Sequence, residues 1–336
     1  MILMVLLACS ATRTDSAMDS ASEEGADTAP FVDTLDPHQL HILTVGSPTP
    51  GDGGHPVAEL STDLQLRWSV DFDNADGAAG AVRDASGGTT YVRASLPPLC
   101  HSALERVGPD GALIWSQNAF FAGNLSFAHG LVQTPAGDYI IIDTILSRVF
   151  SVSEAGEVLW DLSFGHEQVR LPNGLDLQTD AEGVTRVVVT ELGNTVTKDP
   201  DRIEVYRLGG RTDVPTVEWT FVGGSGTEDR LWPHGPRFLD DGSVMVNYAA
   251  RGQIAHFNGG VEDWRVPETP GILAFPRDTL VLPDGTWLVA DAAEEVLRVQ
   301  DPMGSFRIVG AAYVPGVFGL TALECGAGGG LPCLGS

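Results

Sequence analysis

Polar residues recur at one position of an internal repeat, directly before a glycine or in an equivalent place. His129, Asn173 and His234 each precede a glycine, and Arg277 holds the same position in the following repeat. Arginine binds oxyanions through paired N–H groups, and histidine can donate, accept or transfer a proton. If the four side chains converge, they make a cationic pocket suited to a small anionic ligand such as sulfate, phosphate or a carboxylate.

Two further arginines follow the histidines after similar stretches of chain, Arg148 after His129 and Arg251 after His234. Each is predicted to lie between a second and a third strand. The residues assigned to any catalysis are His129, His234 and Arg251, and those assigned to ligand binding are Asn173, Arg277 and Arg148. The alternative is that polar side chains in a wet channel bind only water, and both interpretations stay open. Neither the cysteine spacing nor the glycine pattern indicates a metal site or a phosphate loop, so no metal and no cofactor is predicted.

The clearest unit of the repeat runs from Leu231 to Trp264. A strand begins at His234, and a second, apolar strand, Ser243–Tyr248, follows after an Asp-Asp-Gly turn. A third strand, Gln253–Phe257, and a last strand that carries Trp264 complete the unit. Four short strands separated by glycine turns predict an antiparallel meander.

A closing aromatic residue and a turn glycine recur at nearly constant positions within each repeat. The interval is about 45 residues, with one longer interval, and four strands per unit at that period are typical of a propeller blade. The chain is therefore predicted to be an all-β, six-bladed β-propeller of four-stranded antiparallel blades. A β-sandwich with chance tryptophan spacing is the alternative. The closing residues are Trp68, Trp115, Trp160, Trp219, Trp264 and Phe306, and the turn glycines are Gly88, Gly137, Gly183, Gly242 and Gly285.

The two ends of the predicted propeller are incomplete in complementary ways. The domain covers residues 37–324, its first blade lacks one strand, and Val317–Leu323 is a lone strand after the last blade. Because an open ring leaves two unpaired strand edges, we expect the C-terminal strand to close the ring by pairing with the N-terminal blade. Residues 325–336 are predicted to be a glycine-rich tail.

Two other features fall between second and third strands. The extra chain of the long interval is placed at Glu191–Asp201, as a polar surface loop. Asp143 and Asp291 close second strands near the channel positions. Their carboxylates could orient channel residues or bind a cation, and the sequence leaves both open.

The N-terminal segment reads as the export signal of a lipoprotein. Residues 1–8 are apolar or small and lead to Cys9 in a pattern that resembles a bacterial lipobox, although no Lys or Arg precedes them. Residues 9–36 are largely polar and acidic and are expected to be a disordered tether. We predict a signal peptide over residues 1–8, lipidation at Cys9 and anchoring in the bacterial cell envelope, periplasmic or at the cell surface. A buried strand with a chance cysteine is the alternative.

The formal net charge of −26 over 336 residues limits the partners. An acidic surface repels nucleic acid and anionic lipid, so membrane contact is expected through the N-terminal lipid only. The expected partner is a small anionic molecule or a protein, and the oligomeric state is left open. Cys325 and Cys333 flank a flexible segment and could pair, which leaves Cys100 over.

The region from Leu64 to Phe306 resembles the arylsulfotransferase family of exported β-propellers. The resemblance rests on AHGLVQTPAGDYIIID, on PHGPRFLDDGSVMVN, on the arginine after each, and on the blade ending EAGEVLWDL. It implies transfer of sulfate between phenols through a channel histidine, with His234 and Arg251 as an oxyanion-holding pair and His129 as a further channel histidine. The position where the family places its sulfate-accepting histidine is here Phe275-Pro276-Arg277. Arginine cannot replace a nucleophilic imidazole, so enzymatic activity is left open.

A weaker resemblance is to NHL and gluconolactonase-type six-bladed propellers. It rests on FPRDTLVLPDGTWLVADAAEEVLRV and LPNGLDLQTDAEG. It implies a metal-dependent hydrolase in which Asn173 and carboxylates would hold a divalent cation, although no glutamate occupies a channel position. A third possibility is a non-catalytic interaction propeller, since the fold does not fix the function.

Overall fold

The computed structural model describes residues 40–46, 55–61, 65–72, 76–94, 102–120, 125–163, 171–193, 199–223, 229–268, 272–292, 296–299, 308–312 and 317–324. The predicted signal peptide (1–8), Cys9, the tether (9–36) and the tail (325–336) lie outside these residues. So do Cys100, Cys325, Cys333 and Phe306. Across the described ranges, no helix is long and apolar enough to cross a membrane.

The described residues form 24 β-strands arranged in six four-stranded antiparallel sheets, which we number 1 to 6. This confirms the all-β propeller fold with four-stranded blades. Sheet 1 contains β24 (Val317–Glu324), β1 (Leu40–Gly46), β2 (Val57–Ser61) and β3 (Leu66–Val70). Sheet 2 contains β4 (Gly77–Arg83), β5 (Thr89–Ala94), β6 (Ser102–Val107) and β7 (Leu113–Gln117). Sheet 3 contains β8 (Ala128–Gln133), β9 (Tyr139–Asp143), β10 (Arg148–Val152) and β11 (Val158–Ser163).

The other three sheets follow the same plan. Sheet 4 contains β12 (Leu171–Thr179), β13 (Thr185–Leu192), β14 (Asp201–Arg207) and β15 (Thr216–Gly223). Sheet 5 contains β16 (Pro233–Phe238), β17 (Val244–Tyr248), β18 (Gln253–Asn258) and β19 (Val261–Val266). Sheet 6 contains β20 (Pro276–Val281), β21 (Trp287–Asp291), β22 (Val296–Val299) and β23 (Ile308–Ala312). A short 3-10 turn, Ala249–Arg251, connects β17 to β18.

The turn between the first two strands of a sheet needs a left-handed residue. Gly137, Gly183, Gly242 and Gly285 adopt positive φ there, between 79° and 86°, as expected. In sheet 2 the left-handed residue is Gly87, with φ of 82°, and not the predicted Gly88. Glycine has no Cβ, so this conformation costs it little.

The closing tryptophans lie on the outermost strands, as predicted. In sheets 1 to 5 each one sits at a register shift between the third and the fourth strand, for example opposite Arg106 in sheet 2 and opposite His256 in sheet 5. The outermost strand of sheet 6 is Ile308–Ala312. The extra chain of sheet 4 falls between β13 and β14, where the loop was expected.

The core lies between neighbouring sheets. The second strand of a sheet, such as β9, β17 or β21, is buried on both of its faces. In β9, Ile141 packs with Val92 and Leu104 of sheet 2, whereas Ile140 and Ile142 pack with valines of sheet 4. Alternating side chains thus join two sheets through one strand. Full burial of each isoleucine stabilises the fold by about 1.5–3 kcal/mol.

The predicted C-terminal strand is found as β24, which pairs antiparallel with β1. The register places Leu320 opposite Thr44 and Leu323 opposite His41, and both leucines are buried. The first strands of sheets 2 to 6 and β24 contact one another in cyclic order around a central channel. The first and the last described strands are therefore neighbours in sheet 1.

Candidate functional site

The inner strands carry β-bulges at the positions singled out in the sequence. The register shifts at His129 in β8, at Asn173 in β12 and at Arg277 in β20, and it shifts between His234 and Arg237 in β16. A bulge leaves one residue unpaired in the ladder and re-aims its side chain. All four side chains line one central cavity, so we call them the ring residues.

The glycine after a ring residue is required by close approach of neighbouring inner strands. A Cβ on Gly130 would lie 2.3 Å from Leu175 Cδ2, and one on Gly174 would lie 2.9 Å from the backbone nitrogen of Gly235. Real Cβ atoms do not approach other atoms so closely. The glycine in the motif therefore lets the inner strands pack side by side.

The ring residues form one hydrogen-bonded chain across four consecutive sheets. His129 Nδ1 donates to the backbone carbonyl of Asn173 over 2.8 Å. The Asn173 side-chain amide contacts His234 Nδ1. Arg277 Nη1 donates to the His234 ring, at 2.9 Å from Nε2 and 3.0 Å from Nδ1. The predicted convergence of these four residues is therefore what the structure shows.

The hydrogen bond of His129 defines its tautomer. A carbonyl oxygen can only accept, so Nδ1 carries the proton and Nε2 carries the lone pair. Burial, and secondly the charge of Arg277, lower the pKa of His129 to about 4. The same two causes, with His129 third, lower the pKa of His234 well below its usual value. Both imidazoles are neutral at physiological pH, so among the ring residues the positive charge comes from Arg277.

The channel has a second polar level, which the sequence analysis missed. Arg237 Nη2 donates to Asp278 Oδ2 and to the Leu320 carbonyl, each over 2.7 Å, and Arg237 Nη1 lies 3.9 Å from Asp176 Oδ1. These side chains line the same cavity of about 250 Å³ as the ring residues. A signal was present, since Asp176 follows Asn173 at the same spacing as Arg237 follows His234.

Aromatic side chains support the ring residues from the preceding loops. The Phe127 ring stacks on His129 with centroids 5.4 Å apart, and the Phe275 ring lies 5.7 Å from that of His234. Arg277 Cζ lies 5.2 Å from the centroid of Phe275, a cation–π contact. Each of these phenylalanines stands two residues before a ring residue, so the repeat places both together.

Carboxylates fix the loops that carry these aromatic residues. Asp143 accepts the backbone N–H of Phe127 over 3.1 Å, and Asp291 accepts that of Phe275 over 2.8 Å. Of the two roles left open for Asp143 and Asp291, the structure shows orientation of the channel loops. Asp201 does the same for Trp232 over 3.2 Å, although it begins a third strand and was not singled out. Burial raises the pKa of Asp143 and of Asp201.

Arg148 and Arg251 do not reach the cavity wall that the ring residues form. Arg148 begins β10, and its Nη2 lies 3.7 Å from Asp161 Oδ2. Arg251 ends the 3-10 turn, and its Nη2 lies 4.0 Å from Asp229 Oδ1. Both guanidiniums therefore lie near carboxylates outside the cavity lining. The structure brings together four of the six predicted site residues.

The remaining channel positions are small or apolar. Ala79 and Gly319 line the cavity beside the ring residues, and the side chain of Phe318 lies outside the described part of the chain. His256 lies on β18, away from the channel, where it stacks on Trp264 and contacts Asp263 and Ser243. Within the described ranges, no group of three or more His, Cys, Asp or Glu side chains is placed to hold a metal ion.

Known proteins are similar to this chain in structure only. No protein-family model and no curated protein matches it. A protein of unknown function from Bacteroides caccae is 14% identical, with a TM-score of 0.58, and the match covers 84% of this chain and 98% of that one. A 6-phosphogluconolactonase candidate from Bacteroides fragilis is 12% identical, with a TM-score of 0.53 and coverage of 85% and 83%.

A third similar structure is a catalytically inactive histidine-to-alanine variant of virginiamycin B lyase from Staphylococcus aureus, with quinupristin. It is 11% identical, with a TM-score of 0.52, and the match covers 82% of this chain and 89% of that one. At such identities the likeness shows the β-propeller fold and does not define a function.

Proposed function

We propose that this chain is a six-bladed β-propeller, closed by the pairing of β24 with β1, that binds a small anionic ligand in its channel. The observation that carries the proposal is the position of Arg277, which is 5% exposed, contacts the neutral ring of His234 and lines the cavity. A buried guanidinium beside the neutral His234 ring gives this level of the channel a positive potential. A charge-assisted hydrogen bond to an anion is worth about 1.5–3 kcal/mol.

The other ring residues have defined roles in this proposal. Asn173 and His234 hold the Arg277 guanidinium in place through the chain of contacts across the sheets. His129 lines the same cavity with its proton on Nδ1. A bound anion would favour the charged imidazole, so binding should draw a proton onto His129. Arg148 and Arg251, which lie near outer carboxylates, take no part.

Sulfate transfer of the arylsulfotransferase type is not included. Both ring nitrogens of His234 contact Arg277 Nη1, and Nδ1 also contacts Asn173, so His234 is a poor nucleophile. Arg277 itself stands where that family has its sulfate-accepting histidine. We therefore expect phenyl sulfate to bind without sulfate transfer to a phenol.

A second function, proton transfer by His129, is favoured by the tautomer of that residue. The lone pair on Nε2 can accept a proton from a ligand carbon or hydroxyl while Nδ1 stays bound to the Asn173 carbonyl. The similar lyase loses its activity when a histidine is replaced. Deuterium exchange into a bound ligand, catalysed by the native protein and not by His129→Gln, would support this function, and equal exchange would exclude it.

The N-terminal sequence supports a function at a membrane. We propose that residues 1–8 are removed, that Cys9 is lipidated and that residues 9–36 tether the propeller to the bacterial cell envelope. A lipid anchor of several chains is effectively permanent, since each buried methylene adds about 0.8 kcal/mol of membrane affinity. Cys9→Ala should move the protein to the soluble fraction, and a mutant that stays with the membrane would refute the anchor.

Isothermal titration tests the anion site. Sulfate, phosphate, phenyl sulfate and hexanoate are titrated into the native protein, into Arg277→Gln and into Arg207→Gln, in which an exposed arginine far from the cavity is changed. We expect at least one anion to bind the native protein and the Arg207 variant alike, and to bind the Arg277 variant 10- to 100-fold more weakly. Absence of binding, or equal binding to all three proteins, would overturn the proposal.

A further inference from the structure

The charged side chains that line the cavity sum to zero, although the level of the ring residues is positive. Among the residues that line it, the charged side chains are Arg277 and Arg237, which are positive, and Asp176 and Asp278, which are negative. The histidines are neutral. An anion alone would leave the cavity with an uncompensated charge, whereas a ligand that carries both charges would not.

Of the two carboxylates that line the cavity, Asp176 is the one better placed to contact a ligand. Its Oδ2 accepts the backbone N–H of Phe238 over 2.8 Å, whereas its Oδ1 faces Arg237 only at 3.9 Å, beyond hydrogen-bond distance. Arg237 directs its short contacts to Asp278 and to the Leu320 carbonyl. The side chain of Asp176 is 17% exposed, and it lines the cavity.

The two levels are separated by a distance that a small molecule can span. Asp176 follows Asn173 by three residues on β12, and three residues of strand extend about 10 Å. Asn173 belongs to the same hydrogen-bonded chain as Arg277. A cavity of about 250 Å³ has room for about eight water molecules at liquid density, so it suits a ligand with a similar number of non-hydrogen atoms.

We propose that the ligand is a small zwitterion whose acidic group binds Arg277 and whose ammonium group binds Asp176. This inference rests on the proposed function, because it gives a second contact to an anion held at the ring. Burial raises the pKa of Asp176, and Arg237 and two backbone N–H groups offset this only in part, so a ligand cation beside the carboxylate would stabilise its charged form. The site would select chain length as well as charge.

Pairs of ligands that differ only in the ammonium group test the proposal on the native protein. Titration compares 6-aminohexanoate with hexanoate, and 4-aminobutyrate with butanoate. We expect 6-aminohexanoate to bind about tenfold more tightly than hexanoate. The gain should be smaller for 4-aminobutyrate, which is too short to reach both levels. Equal affinities within the longer pair would overturn the zwitterion and leave the anion site standing, whereas no binding by any of the four would overturn the proposed function itself.

Two variants assign the ammonium contact. Asp176→Asn should remove the advantage of 6-aminohexanoate and should tighten hexanoate binding, because a negative charge leaves the cavity. Glu182→Gln, which removes a negative charge from an exposed turn, should keep the advantage at its native value. If Asp176→Asn keeps it as well, the assignment to Asp176 is wrong. Circular dichroism and thermal unfolding of each variant show whether the fold is retained.

Discussion

The channel has a polar side and an apolar side that are built from the same repeat. On the polar side, sheets 3 to 6 present His129, Asn173, His234 and Arg277 at the bulge of the inner strand or directly before it. On the apolar side, sheets 1 and 2 line the same cavity with Gly319 and Ala79. The propeller thus fixes where side chains point, and local sequence decides whether the position carries a polar group or leaves open space.

The largest expected effect comes from removing part of the apolar side. Deletion of residues 316–336 removes β24 and leaves β1 and the neighbouring sheets with unpaired edges. Loss of the buried Leu320 and Leu323 alone costs about 3–6 kcal/mol, at about 1.5–3 kcal/mol for each side chain. We expect aggregation or a strongly lowered Tm. A soluble truncation with native Tm would contradict closure of the ring by β24.

Acid should act on the polar side through its neutral histidines. The pKa of His129 is about 4 in the folded protein, against 6.5 ordinarily. Below pH 6.5 the imidazole of His129 binds a proton in the unfolded chain but not in the folded chain. The free energy of unfolding therefore falls as the pH drops toward 4. The loss from His129 is about 3 kcal/mol.

This pH effect is measured as a difference between two proteins. Urea unfolding is followed from pH 7 to pH 4 for the native protein and for His129→Gln. The variant should lose about 3 kcal/mol less over this range. Comparison cancels the opposite contribution of buried carboxylates whose pKa is raised, such as Asp143 and Asp201. Parallel curves would show that His129 titrates normally.

A substitution on the apolar side should block binding with little effect on the fold. Ala79→Leu adds a side chain that points into the cavity, so the space for the ligand shrinks. Affinity for the best anion should fall about tenfold, which corresponds to about 1.4 kcal/mol. Ala79→Ser, which adds a single atom, serves as the control and should bind nearly as the native protein does. Equal affinities for both variants would mean that the ligand lies elsewhere.

The smallest effect is expected for the two arginines that lie outside the cavity lining. Arg148→Gln and Arg251→Gln should change anion affinity less than twofold, because both guanidiniums lie near carboxylates outside the cavity wall. Titration beside Arg277→Gln makes the comparison direct. A loss as large as that of the Arg277 variant would place the outer loops in the site.

The repeat made part of this site predictable from sequence. The period and the glycine after His129, Asn173 and His234 place these residues at equivalent points, and strand geometry then brings them together. The second level was missed because the sequences around Asp176 and Arg237 contain no motif that indicates a site. Only their spacing, three residues after Asn173 and His234, distinguishes them.

Other features depended on contacts that sequence does not display. Arg148 begins β10 and Arg251 ends the 3-10 turn, close to where they were expected, but each lies near a carboxylate, Asp161 or Asp229, that the repeat does not predict. The charge of the histidines also depends on burial and on Arg277, which sheet 6 contributes. The structure therefore leaves Arg277 as the one charged group among the ring residues, whereas the sequence predicted a pocket with up to three arginines.

The most direct test of the central claim is a crystal structure of the protein soaked with phenyl sulfate or phosphate. The account predicts an anion within hydrogen-bond distance of the Arg277 guanidinium, inside the channel and beside His129. Arg251 should remain outside the contact. A channel without an anion, at concentrations that give anions elsewhere on the molecule, would contradict the account.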